Sequence, residues 1–357
     1  MQSASRAPDG YNGLGQVLVT WPDYDPDGLR AGKALSDAGL TALLAPKVGA
    51  RTTAQVRRLA ADAVAAIVST DPFDAMVLDA CPHLRVIARV GVGVDSIDLH
   101  AATARGVAVT ITPGANEVTV ADHTIALMLA VLRRVCEHDR GVRNGSWNRT
   151  GQHAPWTLTG ATVGLVGFGR IGRLVAERLA GFGVRLLATD PVTPTGHGVE
   201  AVELPELLRR SGVVSIHTPL TPVTHGLIDA DALRQMQSHT VLVNTSRGGI
   251  VDEHALLREL TTGGLRGAAL DVFASEPPHG SPLLELPNVV ASPHNAGLSA
   301  DSIEHMVRRA TASVLDALAG RLPQDLANPE IANHPWFTGG GVGGAVDKRS
   351  VGQVRGR

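Results

Sequence analysis

The chain has 357 residues, more than one ordinary hydrophobic core holds, so its length predicts two domains. Its 44% hydrophobic and 18% charged residues exclude a disordered or fibrous protein, and a net charge of −2 offers no basic excess for nucleic acid. The first residues lack the pattern of a secretory signal, and no stretch approaches the roughly 20 apolar residues of a membrane span. We therefore expect a globular protein that neither crosses a membrane nor anchors to one.

The cysteine content bears on the redox compartment. Only Cys81 and Cys136 occur, in no paired spacing, which leaves no disulfide framework and no thiolate metal site. We expect no bound metal. Two such thiols suit a reducing cytoplasm, which is the predicted location.

The first part of the chain alternates short apolar runs with helix-like stretches. The runs span residues 17–20, 66–69, 84–88 and 107–111. Because they are apolar on both faces and separated by helices, they are typical of a parallel sheet covered on both sides. We therefore predict one α/β domain that ends near residue 113.

A long helical pattern follows, from about residue 120 to residue 143, with apolar residues at helical spacing. A second alternating series begins at residue 161, and a last helix is predicted over residues 300–319. The pattern predicts two doubly wound parallel-sheet domains. The strands predicted in the second series span residues 162–166, 184–188, 213–216, 241–244, 268–272 and 289–291.

A glycine-rich segment directly follows the strand predicted at 162–166. Gly167 allows a tight turn, Gly169 lets the backbone approach a pyrophosphate, and Gly172 lets the following helix pack against the strand. The next strand ends at Asp190, 18 residues beyond Gly172, where a carboxylate can accept hydrogen bonds from ribose hydroxyls. Together these features predict a dinucleotide-binding site.

Polar and charged residues follow the later strands of the same domain. Because ligands bind outside the carboxyl ends of parallel strands, we expect a base, a cation and a carboxylate to meet at one edge of the sheet. Each residue alone also fits a structural or solvated role, so this pattern does not by itself assign catalysis. In chain order the residues are His217, Thr218, Pro219, Ser246, Arg247, Asp271, Glu276 and His294.

Three segments lie at this edge: residues 244–253, residues 270–273 with Glu276 and Pro277, and residues 292–294. Two further segments, 90–98 and 112–124, precede them. All five resemble the motifs of the D-isomer-specific 2-hydroxyacid dehydrogenases, and the resemblance runs from about residue 16 to residue 330. It implies two doubly wound domains, the C-terminal one a Rossmann domain that binds NAD, with the active site in the cleft between them.

The resemblance also implies roles for single residues. Arg247 would bind the substrate carboxylate, His294 would exchange a proton with the reacting oxygen, and Glu276 would favour the protonated form of His294. Backbone amides of Val92 and Gly93 would bind the same carboxylate. The implied cofactor-binding residues are Gly167, Gly169, Arg170, Ile171, Gly172, Asp190, His217, Thr218, Pro219, Thr245, Ser246, Arg247, Asp271 and His294, of which Arg247 and His294 also contact the substrate.

The same resemblance predicts the domain boundaries and the assembly. Residues 1–115 with 298–335 would form the substrate domain, and residues 116–297 the NAD-binding domain. A disordered tail is predicted over residues 336–357, which contain a glycine-rich run. In the resembling family the region of the long helix forms a two-fold interface, so we predict a homodimer.

Related activities leave alternatives open. Formate enzymes carry glutamine where Glu276 stands, and phosphite enzymes carry lysine where Val92 stands, so neither activity is expected. Arg89 matches an arginine that binds the substrate phosphate in some phosphoglycerate dehydrogenases, but Ser69 and Thr70 stand where its companion arginine would be. We favour an unphosphorylated 2-keto acid such as glyoxylate or hydroxypyruvate, with 3-phosphoglycerate as the alternative. A further alternative is an NADH-sensing, protein-binding dimer of the corepressor type.

Overall fold

The structure, a computed structural model, describes residues 15–22, 24–25, 30–47, 49–150 and 154–338. The chain divides into two compact units, a first unit of Met1–Thr112 with Val307–Arg357 and a second unit of Pro113–Met306. The predicted boundaries fell after residues 115 and 297, whereas the structure divides the chain after residues 112 and 306. The second boundary lies later because Ser299 still contacts the second unit, with its hydroxyl 3.2 Å from that of Thr119.

The first unit contains a five-stranded sheet in the order β2-β1-β3-β4-β5, with every pair of neighbours parallel. Strand β3 is buried at all six positions, as expected of a strand that helices cover on both sides. The elements are β1 (Gln16–Val19), α1 (Arg30–Asp37), β2 (Thr41–Leu44), α2 (Thr53–Ala60), β3 (Ala63–Val68), α3 (Ala75–Asp79), β4 (Val86–Arg89), α4 (Leu99–Ala104) and β5 (Ala108–Thr110).

The second unit contains a seven-stranded sheet in the order β12-β11-β10-β9-β6-β7-β8, again with every pair of neighbours parallel. The predicted fold of two doubly wound sheets is therefore confirmed. The elements are α5 (Glu117–Leu132), α6 (Val135–Arg143), β6 (Thr162–Val166), α7 (Arg170–Leu179), β7 (Arg185–Thr189), β8 (Val199–Ala201), α8 (Leu204–Arg210), β9 (Val213–Ile216), α9 (Ala230–Arg234), β10 (Val241–Asn244), α10 (Glu253–Thr262), β11 (Gly267–Leu270) and β12 (Val289–Ala291).

Alternate residues of these strands enter two separate hydrophobic cores. In β10, Val241 and Val243 pack in the core that includes Met128 of α5, while Leu242 packs in the core that includes Leu256 of α10. Side chains that alternate across a strand explain why these strands read as continuous apolar runs. Burial on both faces keeps the strand ends in register, so that the loops after them meet at one edge.

The sequence analysis did not predict strands β2 and β8. Both lie at the edge of their sheet, and neither has a buried residue. An edge strand needs no continuous apolar run, because it does not pack between two neighbouring strands. Their sequences, Thr-Ala-Leu-Leu and Val-Glu-Ala, therefore carry a weaker pattern than the central strands.

The prediction of one long helix over residues 120–143 is wrong, because the structure has two helices there. Helix α5 ends at Leu132 and α6 begins at Val135, with Arg134 in the left-handed conformation at φ 54°. The carbonyl of Leu132 accepts a hydrogen bond from the amide of Trp156 instead of continuing the helix. Periodicity did not reveal the break, since apolar residues continue on both sides of it.

The last long helix, α11 (Ala300–Leu318), agrees with the prediction over residues 300–319. Of the tail predicted as disordered, residues 336–338 belong to a short helix, α12 (Pro335–Thr338), whose Trp336 indole donates to the carbonyl of Ala317. Residues 339–357 lie outside the described part of the chain. Among the described residues, no helix has the length and apolar character needed to cross a membrane.

Candidate active site

The glycine segment forms a tight turn between β6 and α7. Gly167 has φ 98°, and a Cβ there would lie 2.7 Å from the carbonyl carbon of His217. A Cβ at Gly172 would lie 2.4 Å from the carbonyl oxygen of Gly167. At Gly169, the N-cap of α7, a Cβ would meet no atom of the described residues within 4 Å, and no side chain caps the helix there. The first amides of α7 therefore face open space, which fits a pyrophosphate.

Asp190 follows β7 beside this turn. Its carboxylate accepts hydrogen bonds from the backbone amides of Phe168, at 2.8 Å, and Val192, at 2.9 Å. The half-buried carboxylate thus ties the glycine turn to the loop after β7 while retaining acceptor capacity for ribose hydroxyls. Arg173 of α7 also reaches this loop and donates to the carbonyl of Thr195 at 2.9 Å, a contact that the sequence analysis missed.

The other two residues of the glycine segment are on the first turn of α7. The guanidinium of Arg170 is largely exposed and lies 3.5 Å from the carboxylate of Glu117. Ile171 is half-buried against the core shared with α5. A cofactor contact by either side chain stays a prediction.

His217 lies directly after β9, opposite the glycine turn. Its Nε2 is 2.9 Å from the hydroxyl of Ser215, and its Nδ1 is buried without a hydrogen-bond partner among the described residues. Burial lowers the pKa of His217 to about 4, so this imidazole is neutral near pH 7. The carbonyl of the next residue, Thr218, accepts the hydroxyl of Ser246, while Pro219 is exposed. The loops after β6, β9 and β10 therefore meet, as predicted.

The loop after β10 is held by Asn244, the last residue of that strand. The Asn244 side chain is 1% exposed, donates to the carbonyl of Arg247 at 2.9 Å and accepts the amide of Ser246 at 3.0 Å. Thr245, also buried, lies 2.9 Å from the hydroxyl of Thr124, hydroxyl to hydroxyl. The sequence analysis gave Asn244 no role, although a polar residue that ends an apolar strand is a recognisable sign of a structured loop.

Gly248 brings this loop against the segment that carries Glu276. A Cβ at Gly248 would lie 1.9 Å from the carbonyl carbon of Phe273, so the two backbones pack more closely than any other residue allows. The guanidinium of Arg247 donates to the carbonyl of Ser246 at 2.7 Å, and its charge acts on Glu276. The predicted cation and carboxylate are therefore neighbours.

Glu276 and His294 form a hydrogen-bonded pair. The Oε2 atom of Glu276 is 2.7 Å from Nδ1 of His294, and both side chains are 34% exposed. Oε1 accepts the amide of Phe273 at 3.1 Å. Burial by itself would raise the pKa of Glu276, but the hydrogen bond and charge of His294, the Phe273 amide and the Arg247 charge together lower it. Glu276 is therefore ionised near pH 7, and its negative charge lies against Nδ1 of His294.

His294 has an unusual backbone conformation, with φ 55°. Its amide donates to the carbonyl of Asp271 at 2.8 Å. The fully buried Asp271 carboxylate accepts the hydroxyl of Ser292 at 2.6 Å and the amides of Asn295 at 3.0 Å and Ala296 at 2.9 Å. A left-handed residue that is not glycine costs about 1–3 kcal/mol, which these bonds offset. Asp271 thus contacts the His294 loop, and its predicted contact with a nicotinamide amide stays a prediction.

In the first unit, Arg89 organises the loop that contains Val92 and Gly93. Its guanidinium is 8% exposed, and it donates to the carbonyl of Gly93 at 3.0 Å and to the carbonyl of Val90. The amide of Gly91 donates to the hydroxyl of Thr112 at 3.0 Å. Arg89 therefore binds main-chain carbonyls of its own loop.

Comparison with known proteins agrees with this geometry. The family model described as the NAD binding domain of D-isomer specific 2-hydroxyacid dehydrogenases matches residues 125–296. A glyoxylate reductase of Korarchaeum cryptofilum is 44% identical over 271 residues, which are 73% of this chain and 81% of the relative. A D-3-phosphoglycerate dehydrogenase of Mycobacterium bovis is 43% identical over 280 residues, which are 75% of this chain but only 52% of the relative.

One solved structure is similar to this chain in fold. The D-lactate dehydrogenase of Aquifex aeolicus, in complex with NAD and lactic acid, superposes with a TM-score of 0.77 at 28% identity, over 88% of this chain and 99% of that one. The residues matched by the family model include the glycine turn, Asp190 and the paired Glu276 and His294. This chain belongs to the D-isomer-specific 2-hydroxyacid dehydrogenase family and is an NAD-dependent enzyme.

Proposed function

We propose that the protein interconverts 2-keto acids and D-2-hydroxy acids, with an unphosphorylated keto acid as the substrate. The hydrogen-bonded pair of Glu276 and His294 beside Arg247 carries this proposal. An imidazolium and a guanidinium are the groups that stabilise negative charge on a carbonyl oxygen as it is reduced. The 44% identity to a glyoxylate reductase supports the same substrate class.

In this proposal each residue has one task. The glycine turn and Asp190 would hold NADH, which would supply a hydride when bound. His294 donates a proton to the keto oxygen through the ring nitrogen that does not face Glu276. Arg247 binds the substrate carboxylate and the reacting oxygen. A role for the amides at Val92 and Gly93 stays a prediction.

The proposal is tested by incubating the purified protein with NADH and a panel of 2-keto acids. We expect NADH oxidation with glyoxylate, hydroxypyruvate or a larger unphosphorylated analogue. Preference for 3-phosphohydroxypyruvate would instead support a phosphoglycerate dehydrogenase, the alternative favoured by the 43% identical mycobacterial relative. Absence of turnover with every acid, together with tight NADH binding, would support the corepressor-type alternative.

The cofactor should be NAD rather than NADP. Asp190 would repel a 2′-phosphate, and the next residues, Pro191, Val192 and Thr193, offer no arginine to pair with one. We expect kcat/KM with NADH to exceed that with NADPH by at least about tenfold, as one unpaired charge repulsion predicts. Steady-state assays with both cofactors measure this ratio. Equal efficiencies would show that Arg173, close by on α7, accommodates the phosphate.

The charge of Glu276 should set the upper pH limit of keto acid reduction. The Glu276→Gln variant keeps a hydrogen-bond acceptor for Nδ1 of His294 but removes the negative charge that favours the imidazolium. The proton donor is then lost at lower pH, so the alkaline limb of the kcat/KM profile should shift to lower pH. Glu285→Gln, at an exposed position, is the matched control. An unmoved limb in Glu276→Gln would contradict the pairing.

We also propose that two copies associate through the region of α6. Exposed apolar residues lie on α6 and shortly after it: Val135 (52% exposed), Val142 (54%) and Trp147 (74%). Such surface marks interaction sites, and a two-fold interface uses one patch twice. Light scattering should give twice the chain mass of 37.2 kDa. Val142→Asp should produce monomers, whereas Val223→Asp, at an exposed loop position, should not.

The two cysteine thiols, Cys81 and Cys136, bear on the cellular compartment in which the protein acts. Both cysteines are free: burial raises the pKa of Cys81 to about 11, which makes it unreactive, while Cys136 is exposed. An exposed free thiol persists where the environment is reducing. We therefore propose the cytoplasm as the place of action.

A further inference from the structure

Helix α5 contacts the loop that carries His294 through His123, and it reaches the end of that loop, at Ser299, through Thr119. Nε2 of His123 lies 3.0 Å from the hydroxyl oxygen of Ser292, although 169 residues separate the two in sequence. The Ser292 hydroxyl donates its only proton to the Asp271 carboxylate at 2.6 Å. Its oxygen must therefore accept from His123, which fixes the proton of His123 on Nε2.

The next links lead to the backbone of His294. The Asp271 carboxylate accepts the amides of Asn295 and Ala296, and the Asp271 carbonyl accepts the amide of His294. These bonds hold His294 at φ 55°, a conformation that an unsupported histidine rarely adopts. Orientation of the imidazole thus depends on a network whose outer member is His123.

Helix α5 is suited to this task because it is fixed elsewhere. Met128 and Leu132 are buried in the core beneath the sheet, and the Thr124 hydroxyl lies 2.9 Å from that of Thr245 on the loop leading to Arg247. Adjacent residues of one helix therefore contact both loops that carry the candidate catalytic groups. His123 itself is 26% exposed, and its Nε2, besides the hydrogen bond to Ser292, lies 3.7 Å from Oδ1 of Asp271.

We infer that His123 is a positioning residue for His294 and acts through Ser292 and Asp271. The inference rests on the proposed keto acid reductase function. His123 has no contact with the reacting atoms in this role. It keeps the imidazole of His294 within reach of Glu276, and without it the loop relaxes and the 2.7 Å contact of the pair lengthens.

Two substitutions separate the hydrogen bond from the bulk of the side chain. His123→Leu removes the donor, while His123→Gln places an amide donor near the position of Nε2. We expect His123→Leu to lower kcat about ten- to hundredfold, with NADH affinity within about twofold of wild type. The alkaline limb of the kcat/KM profile of His123→Leu should move to lower pH, in the direction expected for Glu276→Gln. His123→Gln should recover most of the activity and the wild-type profile.

The control is His100→Leu, which removes an exposed histidine from α4 of the first unit and should leave kcat and the pH profile unchanged. Wild-type kcat and pH profile in His123→Leu would overturn the inference. So would a Gln variant as impaired as the Leu variant, because side-chain bulk would then be what matters.

A readout without turnover keeps this test separate from the proposed function. Amide hydrogen exchange, followed by mass spectrometry, should be faster at Asn295 and Ala296 in His123→Leu than in wild type or His123→Gln. Unchanged exchange would overturn the positioning role. If the wild-type protein reduces no keto acid but the exchange responds as expected, the proposed function fails while the link from His123 to the loop stands.

Discussion

Replacing His294 by alanine should lower kcat for keto acid reduction by about 10²–10⁴, the range expected for loss of a general acid. The imidazole is the group paired with Glu276 at 2.7 Å, and no other residue in the loop from Ser292 to Ala296 can supply a proton in its place. NADH affinity should change little, since the glycine turn and Asp190 are untouched. Steady-state kinetics and fluorescence titration with NADH measure the two effects.

Alanine at a left-handed position adds strain, so a second variant is needed. His294→Asn removes the imidazole with a residue that tolerates φ 55° better, and it should lose comparable activity. His279→Ala, at an exposed loop position, should behave as wild type. Near-normal turnover in both His294 variants would show that the mechanism is wrong in its central residue.

Replacing Arg247 by alanine should affect both kinetic constants. Loss of a charge-assisted contact to the substrate carboxylate should raise KM about tenfold or more, and loss of charge at the reacting oxygen should lower kcat by about 10² or more. The backbone of the loop should persist, since Asn244 holds it through the Arg247 carbonyl and the Ser246 amide rather than through the guanidinium. Kinetics over a range of keto acid concentrations separate the two changes.

The matched variants make this prediction specific. Arg247→Lys keeps the charge but loses the bidentate geometry of a guanidinium. Its kcat and KM should therefore lie between those of wild type and Arg247→Ala. Arg258→Ala, on the exposed face of α10, should leave both constants unchanged. A drop in kcat with an unchanged KM in Arg247→Ala would exclude the carboxylate contact and leave only a role at the reacting oxygen.

Some features of the fold were predictable because they depend on neighbours in sequence. The central strands are continuous apolar runs, and four predicted spans in the second unit, 162–166, 213–216, 241–244 and 289–291, coincide with β6, β9, β10 and β12. The break between α5 and α6 was not predicted; at the break Arg134 is left-handed and the Leu132 carbonyl accepts the amide of Trp156, 24 residues later. A local pattern cannot report such a contact.

For the candidate site too, some features could be predicted from the sequence and others could not. Parallel strands predicted that the loops carrying Arg247, Glu276 and His294 would share an edge, while the roles of these residues came from the family resemblance and stay a prediction. The contacts of Arg89 could not be predicted from the sequence. The resemblance left a contact with a substrate phosphate open, and the structure shows Arg89 donating to carbonyls of its own loop.

The sequence by itself determined two parallel α/β units, the glycine turn with its carboxylate, and the presence of Arg247, Glu276 and His294 in loops at one edge of a sheet. Only the tertiary structure decided which residues hold those groups in place: Asn244 for the Arg247 loop, and Asp271, Ser292 and His123 for the His294 loop. The physical reason is the short range of a hydrogen bond. It stabilises a loop only when donor and acceptor come within about 3 Å, and for His123 and Ser292 folding alone brings them there.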